Sequence, residues 1–398
     1  MINPSAPGWI DKFFAEQRSL TLPAVSGPES LYHRIRKTGL IYGHIVSFDT
    51  PRAITPKNKS PEEISKIALL NTLYAVHNLV LETYDAAGFL SDAVSFYKAL
   101  NKTGYNPLKK VLPENSISAE LEKIIGERVQ TNENPISRNF SHILTNALLF
   151  EDVLAFQQYL INGEISGSYM RRLEETVISV VSLALNTKSE KSPYDDLLVR
   201  LFESSVRYTK FSKVNISNVE ALELEYFGYK LEKYYLIDMA GLAMCSDGIV
   251  EESESGFLLK LADIMGIERS FVEESISQTD AFISKYKKEI PYFNYSNPVK
   301  HFYDHTTQYV MMLISRNKKR LQKELANNGE LMLLLTHSTH RSLDSKEKKK
   351  VKKQLLEFCK TVPSLTIFLL PGGSLLLPLL VKFIPKMLPT TFNENLEE

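Results

Sequence analysis

The chain has 398 residues, 43% of them hydrophobic and 24% charged, with 47 Lys and Arg against 47 Asp and Glu. That length suffices for two or three domains with real cores, and the charge balance excludes a global field that would draw the chain onto DNA or an acidic substrate. Two cysteines, Cys245 and Cys359, lie far apart without C-x-x-C or His/Cys zinc spacing. This pattern fits a reducing compartment, argues against a disulfide framework, and leaves both as small apolar fillers.

The opening stretch MINPSAPGWIDKFFAEQRSL has no cationic start followed by an apolar run and no small-residue cleavage site. A secretory signal is therefore not expected, and the bulk of the chain is expected to stay cytoplasmic. Apolar positions recur three and four apart in most segments and none shows sustained alternation, so the expected fold class is all-α, a multi-helix bundle. Residues 1–165 form an N-terminal helical region with a linker over about 42–61, where Pro51, Pro56 and Pro61 punctuate the chain. A helix opens at Pro61-Glu62-Glu63, and a helix pair is expected before Asn106-Pro107. The amphipathic run from Ser141 to Leu160 stops at Asn162-Gly163, residues that tolerate the left-handed region.

Residues 166–290 form a second helical region. Helices over 170–185 and 194–208 are expected as an antiparallel pair, followed by one long helix from Val219 to Ala243. Tyr226, Phe227, Tyr229, Tyr234 and Tyr235 crowd that helix, and such a stripe reads as core. The stretch VISVVSLALNTKSEKSPYDDLLVRLFESS from Val177 has the rhythm of helix, polar turn and helix, with Asn186-Thr187 at the turn. It reads as a degenerate copy of the unit that follows.

In LIDMAGLAMCSDGIVEESESGFLLKLADIMGI, 236–267, a helix rich in small residues runs into Asp247-Gly248 and a second helix with Glu254 near its start. Phe257, Leu258, Leu261, Ile264 and Met265 give that second helix an apolar face. Around 235–280 the chain resembles the TerB-like, tellurite-resistance helical domain. The resemblance implies a divalent cation held by Asp247, Glu251 and Glu254, with Asp238 and Glu252 as further oxygen donors. The same residues have a plain reading: Gly248 permits positive φ, and the glutamates favour the positive end of the next helix. No complete D-x-D-x-D-G calcium loop is present, and no other cofactor is expected.

Residues 291–360 carry basic helices. The pairs His301/His305 and His337/His340 lack the Glu of H-E-x-x-H or a nearby Cys, so they read as structural or surface histidines. No Gly-x-Ser-x-Gly elbow, P-loop or dinucleotide loop appears, and no catalysis is expected. The runs RNKKRLQK, 316–323, and KEKKKVKK, 346–353, both precede an apolar tail. In the second run Asp344 caps a helix with Glu347 three residues on, and Val351, Leu355 and Phe358 form its apolar side. Lys346, Lys348, Lys349, Lys350, Lys352 and Lys353 make the other side cationic, suited to lipid headgroups or to a partner such as ribosomal RNA.

Residues 361–381 contain no charge, close to the ~20 residues that cross a hydrocarbon core as a helix. Pro371-Gly372-Gly373 breaks the middle, while Pro363, Pro378, Pro385 and Pro389 punctuate the rest. A broken span, a re-entrant hairpin and a buried helix-turn-helix all remain open on these grounds. Lys382 and Lys386 stand at the far edge, placed to snorkel to an interface. With no acidic residue in the segment, a cation path would need a homo-oligomer.

The basic helix, Val362-Pro363, Leu370-Pro371, Leu377-Pro378, Lys382, Pro385 and the closing MLPTTF together resemble the transmembrane signature of the LETM family and its bacterial relatives. These are the leucine-zipper/EF-hand-containing transmembrane proteins. The resemblance covers 343–392 and implies a membrane segment over 361–392, cation homeostasis or cation/proton exchange, and a ribosome-binding region after the membrane segment. The chain ends six residues past Phe392, so that region is expected to be missing, which argues against ribosome binding. The family's EF-hands are absent too, and the pairing with a TerB-like module implies a bacterial relative in the inner membrane with its N-terminal bulk cytoplasmic. Two alternatives stand beside this reading: a soluble cytoplasmic helical scaffold that binds a protein or ribosomal partner, and a divalent-metal-responsive sensor.

Overall fold

The computed structural model describes residues 2–17, 26–102, 116–129, 147–187, 218–244, 252–286, 288–289, 321, 323, 329–341 and 344–361, with some side chains in the last three helical stretches left aside. Among them twelve α-helices occur and no strand, as the three-and-four spacing predicts. They are α1 (Trp9–Gln17), α2 (Pro28–Thr38), α3 (Pro61–Leu81), α4 (Ala86–Lys102), α5 (Ile117–Val129), α6 (Phe150–Asn162), α7 (Tyr169–Asn186), α8 (Lys230–Met244), α9 (Glu252–Met265), α10 (Arg269–Tyr286), α11 (Gly329–His340) and α12 (Ser345–Thr361). Residues 1–131 with 141–293 make one unit, and residues 132–140 with 294–398 make a second.

The first unit is organised around two helices. The earlier is α3, which opens at Pro61 as expected. The Ser60 hydroxyl accepts from the Glu63 backbone N–H at 3.1 Å, and the Glu63 carboxylate accepts from the Ser60 N–H at 2.8 Å. Two orphan donors of the helix start are thereby satisfied reciprocally, with Pro61 at the first helical position. Ser60→Ala is expected to destabilise the first unit by about 1 kcal/mol, read as a lower urea midpoint at unchanged slope; an unshifted midpoint would remove the cap from the account.

By length and hydropathy α3 alone among the described helices passes as a membrane span. Its surroundings are those of a core helix: it packs on α2, α4, α5 and α6, and Ile67, Leu69, Leu70, Leu73 and Val76 are fully buried. Three of its polar side chains are matched by protein. Lys66 pairs with Glu62 at 2.7 Å, the Asn71 amide donates to the Asp49 carbonyl at 3.0 Å, and His77 Nε2 meets Asp92 at 3.0 Å. The same part of the bundle encloses a second charged group. Arg128 on α5 donates through Nε to Asp152 on α6 at 2.6 Å and through Nη2 to its other oxygen, and the Tyr97 hydroxyl donates to Asp152 at 3.0 Å.

The later organising helix, α8, packs on α2, α7, α9 and α10 and is buried on every side from Tyr234 to Met244. It is shorter than the sequence suggests. The stretch expected as one helix from Val219 begins with two 3-10 turns, Val219–Ala221 and Leu224–Tyr226, separated by extended backbone at Leu222. Extended backbone returns at Phe227, and α8 starts only at Lys230. The Glu232 carboxylate fixes that start by accepting from the Tyr229 backbone N–H at 2.9 Å. Its other oxygen accepts from the Tyr169 hydroxyl at 2.7 Å and the Gln158 amide at 2.9 Å, while burial pushes the carboxyl pKa up. Of the aromatic stripe expected as core, Phe227, Tyr234 and Tyr235 are buried, whereas Tyr226 and Tyr229 are half-buried.

Two of the helix stops fall where glycine permits them. Gly163 ends α6 at φ 75°, its N–H donating to the Tyr159 carbonyl at 2.8 Å. Gly39 ends α2 at φ 83°, and there a Cβ would lie 2.0 Å from the His44 carbonyl oxygen, so glycine is required twice over. α7 covers the helix expected over 170–185; its expected partner over 194–208 lies outside the described residues.

Candidate interaction surface

The second unit shows a helical hairpin. Leu331, Leu334 and Leu335 of α11 are buried together with Val351 and Leu355 of α12, the i, i+4 pair expected to form the apolar side of the basic helix. Phe358 belongs to α12, and its side chain lies outside the described ones. At the turn, the Asp344 carboxylate accepts from the backbone N–H groups of Lys346 at 2.7 Å and Glu347 at 2.8 Å. The Glu347 carboxylate in turn accepts from the Asp344 N–H at 2.9 Å, so the cap read from sequence is present. Arg341 donates to both oxygens of Glu347, at 2.8 and 2.6 Å, and this bidentate bond holds the Glu347 carboxyl down at about 2.

With the seam facing α11, the lysines face out. Lys346, Lys348, Lys349, Lys350, Lys352 and Lys353 are all exposed. Lys350 is tethered by an ion pair to Glu330 at the start of α11, and the Gln354 amide donates to the same carboxylate at 2.7 Å. The remaining five have no acidic partner among the described residues. Glu330 is a group the sequence reading passed over. Its place in the first turn of α11 becomes informative only once the antiparallel register of the hairpin is known.

Of the acidic residues that the TerB resemblance groups, Asp238 alone has a described side chain. Asp238 is fully buried on α8 and accepts from four donors: Nε and Nη2 of Arg36, both at 2.9 Å, the Tyr32 hydroxyl at 2.9 Å, and the Ser275 hydroxyl. Burial opposes a charge on Arg36, but Asp238 beside it raises the guanidinium pKa above its ordinary value. The carboxylate is thus neutralised from within, and Asp238 is corrected from metal ligand to internal counter-ion. Asp247 and Glu251 lie outside the described residues, and Glu252 and Glu254 lie in α9 with their side chains outside the described ones. Phe257, Leu258, Leu261 and Met265 form the buried face of α9 as expected, whereas Ile264 is exposed.

Among the described residues no group of three or more His, Cys, Asp or Glu is placed to hold a metal. His337 is half-buried on α11, and the His340 side chain, His301 and His305 lie outside the described residues. So do Pro363, Pro371, Gly372, Gly373, Pro378, Lys382, Pro385 and Pro389, together with both cysteines' surroundings. A cleft of about 450 Å³ between α7 and the 3-10 turns is lined by Arg171, Arg172, Glu175 and Tyr226. Its Arg172 is already engaged, donating to Glu223 at 2.7 Å with its guanidinium 4.7 Å from the Tyr226 ring centre.

Residues 343–398 match the family model described as LETM1-like, RBD. The match begins one residue before the Asp344 cap and takes in α12 and the apolar stretch together. It therefore lays the RBD description over the basic helix and the apolar stretch themselves, where the sequence reading expected a ribosome-binding region only beyond them. No curated protein and no solved structure matches the chain.

Proposed function

We propose that this chain is a LETM-related, membrane-associated protein that takes part in cation homeostasis without catalysing a covalent reaction. The observation that carries the proposal is the LETM1-like match over 343–398, read together with α12. A capped amphipathic helix with an exposed lysine face runs directly into an uncharged apolar stretch. Lysines flanking an apolar segment favour the cytoplasmic side and contact anionic headgroups, so the apolar stretch is assigned to a bacterial inner membrane with the N-terminal bulk in the cytoplasm. Cation/proton exchange would require several copies, because the segment offers no acidic residue of its own.

The experiment compares the full chain with a chain ending at Lys360. The full chain is expected to stay with membranes through a carbonate wash and the shortened one to be released. Release of both would end the membrane reading and leave a soluble scaffold.

A second reading is favoured by the description of the matched model, RBD. In it α12 contacts the ribosome, and the full chain is expected to co-sediment with ribosomes in a salt-sensitive manner that is lost with the Lys346, Lys349 and Lys353 charges.

A further inference from the structure

We infer that α12 docks on anionic phospholipid through one stripe of its lysines, Lys346, Lys349 and Lys353, and that Lys350 is not part of that contact. The inference rests on the membrane reading above and names the partner of the same surface. At the α-helical repeat these three residues fall within about 60° of one another, opposite the buried Val351 and Leu355, and span about 10 Å along the axis. Lys352 stands on one flank of the stripe with Lys348 farther round toward the seam, and Lys350 on the other flank is drawn back onto Glu330 of α11.

The chemistry of the stripe favours lipid headgroups over RNA. Every cation on the exposed face of α12 is a lysine. Lysine is a flexible point charge on an apolar stem, suited to an array of mobile phosphates. RNA recognition draws instead on the planar fork of arginine and on aromatic stacking. The exposed face has neither among its described side chains. The position agrees with the chemistry. Thr361, the last residue of α12, is also the first of the uncharged stretch, so whatever receives that stretch lies next to the lysines. The overall charge balance of 47 against 47 leaves this local patch to set the electrostatics of the contact.

The test reconstitutes the full chain into vesicles of phosphatidylcholine alone and of an equal mixture of phosphatidylcholine and phosphatidylglycerol. The rate at which each lysine reacts with an amine reagent is then read by mass spectrometry. Lys346, Lys349 and Lys353 are expected to react about fivefold more slowly in the mixed vesicles, with the difference erased by high salt. Lys98, paired with Glu120 at 2.8 Å in the first unit, is expected to react alike in both. Equal rates for the three lysines in the two vesicles overturn the inference, and so does a slowing that appears only when ribosomes are added. The variant K346Q/K349Q/K353Q is expected to keep its carbonate resistance and lose the phosphatidylglycerol dependence of its association. A chain that resists carbonate yet shows equal rates sinks the inference alone, whereas a chain released by carbonate sinks the reading on which it rests.

Discussion

Replacing Asp238 with alanine is expected to cost about 3–5 kcal/mol of unfolding free energy, a large part of what a domain has to lose. The substitution strands Arg36, itself buried, without the carboxylate that takes both of its parallel N–H bonds, and leaves the Tyr32 and Ser275 hydroxyls with no acceptor. The guanidinium keeps only its aromatic neighbours, with the ring centres of Phe271 at 4.9 Å and Tyr32 at 5.3 Å, and the outlying Glu274 carboxylate 3.7 Å from Nη1. None of these replaces a bidentate bond. The double variant R36M/D238L removes both charges in favour of apolar volume and is expected to recover most of the loss, because a buried pair is costly to break and cheap to replace. Urea unfolding of the full chain, followed by the fluorescence of Trp9, measures both. Trp9 is the single tryptophan and sits in the same buried core. A single variant within about 1 kcal/mol of the parent would mean that the pair is wetter and looser than its burial implies.

What could be read from sequence was what is decided within one helical turn. Asp344 with Glu347 and Gly163 after Asn162 each settle a helix end through neighbours three or four residues away, and both were read from sequence; the helix start at Pro61 was read too, but not the Ser60–Glu63 box that caps it. The lysine face of α12 was legible for the same reason, since Val351 and Leu355 fix which way the helix turns. Partners brought together by tertiary packing were not. Asp238 lies 202 residues from Arg36, so an acidic side chain beside an Asp-Gly turn read as a free ligand. Glu330 lies 20 residues from Lys350 across a turn whose register the sequence does not state. The overlong helix from Val219 failed for a different reason. Its leucines and tyrosines satisfy the 3.6 period, and the residue that resets the backbone is Glu232, bonding back to Tyr229 rather than to a Ser or Thr cap.

Phe156→Ala is the other change expected to cost about 3–5 kcal/mol, and its outcome bears on where the apolar helix α3 resides. Phe156 of α6 is fully buried, stacked at 13° to the His77 ring of α3 and edge-on to Phe89 of α4, with Phe96 5.2 Å away. Phe89 in turn meets Phe14 of α1 and Tyr74 of α3, so one aromatic cluster ties four helices together. In a bundle surrounded by water, truncating its centre forfeits the transfer energy of a phenyl group and leaves a cavity. In lipid the transfer term vanishes, because the tails are as apolar as the side chain, and only lost packing remains. Ile264→Ala, at an exposed position on α9, serves as the control and is expected to stay within about 0.5 kcal/mol of the parent. A full-sized loss for Phe156→Ala, read through Trp9 in urea, makes α3 the core of a water-soluble bundle. A loss no larger than the control would instead put α3 itself in the bilayer, where the pairing of His77 with Asp92 would have to be accounted for anew.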